Sequence, residues 1–143
     1  MRTIERPAGF ETRPASAVNR TVVVGLTLVT AAIHVSLGGL LFLANAVGYT
    51  TLAVAMILPG RLGRVRWLVR LALLGFTAAT IGGWVLFGAR FPLAYLDKTI
   101  ELGLIAAVAV ELWRMDGGPL GVIRRVRGLI ARITGMQPAR GQQ

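Results

Sequence analysis

The chain has 143 residues, 55% of them hydrophobic, and only 15% are charged, which is too few to clothe one compact domain in a water-facing surface. Its net charge of +10 sits outside the apolar blocks, which points to anionic lipid headgroups as the partner and away from nucleic acid. The absence of Cys excludes disulfides, thiolate metal sites and cysteine nucleophiles, and a single His excludes any site that needs two imidazoles from one chain, a bis-His haem included.

Residues 1–20 carry Arg2, Glu5, Arg6, Glu11, Arg13 and Arg20 with Pro7 and Pro14, and read as a flexible cytoplasmic tail. The apolar block after them is too long for a secretory signal. From Thr21 to Pro59 there is no Asp, Glu, Lys or Arg. As helix this stretch would run roughly 58 Å, about twice the hydrocarbon thickness of a bilayer. Two spans with a tight turn between them account for it, and Gly38-Gly39 is the natural break because glycine accepts left-handed turn geometry. The spans are then about 21–37 and 40–58, with Pro59-Gly60 stopping the second.

A basic loop follows with Arg61, Arg64 and Arg66, which are expected to contact lipid headgroups. A third span over about 67–87 has Trp67 and Trp84 near its two ends, the usual interfacial placement. Arg70 falls in its first turn, from which it is expected to snorkel to the headgroups. Gly88-Ala89-Arg90-Phe91 makes the next turn, and Pro92 suits the first position of a fourth span running to about 113. Glu111 and Arg114 at i, i+3 read as a surface pair of little consequence. Beyond Asp116-Gly117-Gly118-Pro119, the residues Leu120, Val122, Ile123, Val126, Leu129, Ile130 and Ile133 recur at helical spacing on one face. Arg124, Arg125, Arg127 and Arg132 occupy the rest, so a helix lying in the membrane interface is expected, arginines at the phosphates. The end of the chain, 137–143, reads as disordered. The expected domain division is 1–20, 21–114 and 115–143.

Fourteen of the 16 basic residues fall on one side of this arrangement, and Arg90 and Lys98 on the other. The positive-inside rule then places both ends in the cytoplasm. The expected fold is all-α: an antiparallel four-helix transmembrane bundle with a C-terminal amphipathic interfacial helix.

Burial of unpaired polar groups in hydrocarbon is costly, so those inside the spans are informative. They are His34, Asn45, Tyr49, Tyr95, Asp97, Lys98 and Glu101. By depth they share the outer half of the bundle. Lys98 and Glu101 are three apart and Asp97 and Glu101 four apart, so they neighbour one another on one helix face. Two readings stand: a polar pocket for a proton, an ion or a small ligand, or a Lys98–Glu101 pair that fixes helix packing with His34 and Asn45 as interhelical partners. A metal at His34, Asp97 and Glu101 would lack a second imidazole or a denser carboxylate set, so no metal and no cofactor is expected. The sequence has no Walker motif, no HExxH and no GxSxG, so no catalytic residues are nominated.

His34-Val35-Ser36-Leu37-Gly38, with Leu41-Phe42-Leu43-Ala44-Asn45-Ala46-Val47-Gly48-Tyr49 after it, and Asp97-Lys98-Thr99-Ile100-Glu101 resemble a loose group of small uncharacterised bacterial four-helix transmembrane proteins. The resemblance covers about residues 30–112. It implies the four-span fold and a bacterial inner membrane, gives weight to His34, Asn45, Lys98 and Glu101 as matching positions, and implies no activity.

Three functions follow as expectations. The first is an accessory or scaffold component of a membrane complex, with a membrane-protein partner or as a homo-oligomer. The second is an oligomeric transporter or proton-coupled channel working through the polar cluster. The third is a redox or quinone-binding membrane protein.

Overall fold

The computed structural model describes residues 13–59 and 65–134, apart from the side chains of 13–16, 119, 132 and 133. The tail over 1–12, the loop arginines Arg61 and Arg64, the side chain of Arg132 and the stretch after 134 lie outside the described residues. Those described are all-α, in five helices: α1 (Arg13–Leu37), α2 (Leu40–Ile57), α3 (Arg66–Phe87), α4 (Pro92–Asp116) and α5 (Gly118–Ile133).

Two of the breaks are set by glycine. Gly38 and Gly39 have φ of +67° and +82°, a region that costs an L side chain strain, so α1 and α2 meet at a two-residue corner. At the other end Gly117 and Gly118 have φ of +77° and +67° and turn α4 into α5. That corner is tight: a Cβ on Gly121 would run into the Asp116 carbonyl oxygen. Pro92 opens α4 at a position where its missing N–H leaves no helical bond unmade.

One boundary differs from expectation. Residues 13–20 are the first turns of α1 and not part of a flexible tail. Ala15 and Ala17 favour helix, and Pro14 is tolerated in a first turn. Asn19 ties this segment to the rest, its side-chain amide donating to the Ala107 carbonyl at 3.3 Å.

α1 packs against α2 and α4, α3 packs against the same two, and α5 rests on α4. The shared core is Val23, Ala31, Tyr49, Met56, Val69, Leu73, Leu104, Val108 and Leu112. Two buried threonines beside it satisfy themselves locally: the Thr27 and Thr77 hydroxyls donate to the carbonyls of Val23 and Leu73, one turn back. The outer surface is studded with Leu40, Leu41, Leu86 and Phe87, all largely exposed. Segments Ala17–Leu37, Leu40–Ile57 and Arg66–Phe87 are long and apolar enough to cross a membrane. α4 is equally long and differs in carrying Asp97, Lys98, Glu101, Glu111, Arg114 and Asp116.

Candidate functional site

α4 places Asp97, Lys98 and Glu101 within four residues, so all three project to one side, where α1, α2 and α3 cover them. Lys98 Nζ lies 2.9 Å from Asp97 Oδ2 and 2.6 Å from Glu101 Oε2. Tyr49 on α2 donates its hydroxyl to Glu101 Oε1 at 2.8 Å. The Thr80 hydroxyl of α3 lies 3.0 Å from that oxygen, 2.9 Å from the Tyr49 hydroxyl and 2.8 Å from the Thr77 carbonyl. On α1, His34 Nδ1 is 2.9 Å from the Thr30 carbonyl, an acceptor, so that nitrogen carries the hydrogen. The same nitrogen is 3.7 Å from Asp97 Oδ1. Apart from half-buried Thr80 the residues that make these contacts are buried, Glu101 at 0% exposure and Asp97 at 1%. Asp97 Oδ1 accepts no hydrogen bond among the described residues.

A cavity of about 410 Å³ opens beside this cluster, at the end of the helices that carries the 38–39 corner and the 88–91 turn. Its polar wall comprises His34, Asn45, Thr80, Asp97 and Lys98; the rest is Leu37, Leu41, Phe42, Phe76, Trp84, Phe91 and neighbours. Aromatic contacts hold the wall in place: Phe76 meets Tyr49 edge-on at 4.9 Å, and His34 lies 5.9 Å from Phe42 and 5.6 Å from Tyr49.

The structure thus brings His34, Tyr49, Asp97, Lys98 and Glu101 together, with half-buried Asn45 on the adjacent wall. Tyr95 stands apart: it is 51% exposed and packs its ring edge-on against Trp84 at 5.3 Å. Thr80 was not among the residues singled out from sequence. One hydroxyl in an apolar helix carries no distinguishing signal until its partner on another helix is known. His34, Asp97 and Glu101 bring an imidazole and two carboxylate donor atoms within 4.8 Å of one another. The Lys98 ammonium already bridges both carboxylates, so a divalent ion would have to compete there with a tethered cation.

A second buried network lies at the opposite end, and it corrects two expectations. Arg70 does not snorkel to the surface. It is 5% exposed and forks between Glu111 Oε1 and Asp116 Oδ2, each at 2.8 Å. Glu111 is accordingly no surface partner of Arg114 but the buried counter-ion of Arg70. Asp116 also receives Arg125 of α5 at 3.1 Å, so α3, α4 and α5 are joined through three charges and a fourth at the rim. Of the other arginines assigned to headgroups, Arg66 reaches the Leu58 carbonyl at 3.4 Å, and Arg124 and Arg127 are exposed. None of the network's residues lines the cavity.

No protein-family model, no curated protein and no solved structure matches the chain, so the resemblance over residues 30–112 rests on the residues that suggested it.

Proposed function

We propose that the chain is an integral protein of a bacterial inner membrane, crossing it four times with both ends in the cytoplasm. On this reading α1 to α4 form an antiparallel bundle whose outer half binds a small solute and passes protons through its polar cluster, as an oligomeric transporter or proton-coupled channel does. The observation that carries the reading is the buried charged cluster on the wall of a cavity, with a carboxylate oxygen left unpartnered. Ionisable groups at such depth are costly, and a packing role alone is better served by apolar residues of similar volume.

α4 supports a fourth span. Its 25 residues give about 37 Å of rise, and its outer ionic residues are covered by the other helices instead of facing lipid. α5 supports an interfacial helix on an anionic surface: Leu120, Ile123 and Ile130 stay exposed on it beside Arg124 and Arg127. The accessory role, with a membrane partner, is the second reading. It draws on that exposed apolar face but leaves the outer cluster without a purpose. Rigidity is already supplied by the Arg70 network at the other end.

The test is proton movement into liposomes carrying the purified protein, read with an internal pH dye under an imposed potential. The wild type should exceed protein-free vesicles, and Glu101→Gln should fall to their level. A wild-type rate equal to empty vesicles removes the transport reading.

A further inference from the structure

We propose that the solute is an organic ammonium ion, a protonated amine on an apolar or aromatic body, held by Asp97. This rests on the solute-binding reading above and names its chemistry. Lys98 directs its ammonium to Asp97 Oδ2 and Glu101 Oε2. The Tyr49 hydroxyl is taken up by Glu101, with Thr80 beside the same oxygen. The His34 Nδ1–H goes to the Thr30 carbonyl. Among the fully buried polar atoms of the residues lining the cavity, the one left without a partner is an acceptor, Asp97 Oδ1. A ligand that brings only acceptors, such as a quinone or a carboxylate, leaves Asp97 Oδ1 unpaired, whereas one that brings a donor satisfies it; the half-buried Asn45 amide both donates and accepts and so serves either kind.

Charge points the same way. Two carboxylates, Asp97 and Glu101, share the one Lys98 ammonium, so the cluster is richer in acceptors than in cations. The walls specify the body: Phe42, Phe76, Trp84, Phe91, Leu37 and Leu41 offer aromatic faces and aliphatic surface, which suit an organic cation and offer no ligand to a bare metal ion. At the rim the Arg90 guanidinium lies 4.2 Å over the Trp84 ring and donates to the Val85 carbonyl. It is exposed, where salt and water screen its repulsion of an arriving cation.

The test is equilibrium dialysis of the full-length protein in mild detergent against phenethylammonium, with phenylacetate and a short-chain quinone as the acceptor-only probes. Phenethylammonium should bind at least about tenfold more tightly than either. Asp97→Asn should lose about tenfold or more, while Asp97→Glu retains most of the affinity, which separates lost charge from lost fold. Phe42→Ala should weaken binding without reversing the preference for the cation. Equal binding of phenethylammonium and phenylacetate, tighter binding of the quinone, or an unchanged Asp97→Asn would each overturn the assignment. Specific ammonium binding without proton movement in liposomes would uphold this inference and remove transport. Proton movement without ammonium binding would do the reverse.

Discussion

Arg70→Met puts the buried fork to a quantitative test. Methionine keeps much of the length and apolar bulk of the arginine stem and removes only the guanidinium. Glu111 Oε1 then loses the partner it has at 2.8 Å, and its other oxygen has none among the described residues. Asp116 keeps Arg125 at 3.1 Å. Breaking a buried ion pair from one side costs roughly 3–5 kcal/mol, because it strands a charge. With one of the two carboxylates still paired, the low end applies, about 3 kcal/mol. Neutralising the stranded group should recover part of it, so Arg70→Met with Glu111→Gln should be less destabilised than Arg70→Met alone, with a coupling of about 1–3 kcal/mol. Reversible unfolding in mixed micelles, followed by helical circular dichroism, reads both values. An Arg70→Met variant within about 0.5 kcal/mol of the parent would mean that the carboxylates reach water and that Arg70 snorkels after all.

Two other substitutions probe the corner and the cluster. Gly121→Ala should destabilise the protein by roughly 1–3 kcal/mol in the same unfolding assay, since the added methyl collides with the Asp116 backbone and not with a side chain that can swing away. An unchanged stability would mean that α5 is not held against α4 at that distance. Lys98→Met should create a zinc site from His34, Asp97 and Glu101, with binding about tenfold or more tighter than in the parent by titration calorimetry. Equal zinc affinity in the two proteins would show that the ammonium is not what occupies the space between the carboxylates.

What the sequence reveals follows from how local each feature is. The corner at Gly38-Gly39 and the start of α4 at Pro92 are legible because one or two residues decide them. The grouping of Asp97, Lys98 and Glu101 is legible for the same reason, as helix geometry alone sets their relation. The Arg70 fork is hidden because its partners lie 41 and 46 residues away on α4. An arginine in the first turn of a span reads equally as snorkelling or as buried until a carboxylate is placed beside it. Asp116, just before the two glycines that end α4, was the available signal. The helical turns at 13–20 were hidden by their polar composition: Arg13, Pro14 and Asn19 suggest a tail, and it is packing on α4 through Ala107 that orders them. Tyr95 joins the cluster by depth, but its two-residue spacing from Asp97 turns its side chain to another face of the helix, where its ring packs on Trp84.

If α4 crosses the membrane and carries its ionic cluster into the bundle, its two ends lie on opposite faces of the bilayer. Because the chain has no Cys, single cysteines at Ala89, before α4, and at Thr134, after α5, can be labelled one at a time in spheroplasts with a membrane-impermeant maleimide. The account predicts that Ala89→Cys reacts in intact spheroplasts and Thr134→Cys only after they are permeabilised. Reaction of both from the same side would place the two ends of α4 on one face of the bilayer and contradict it.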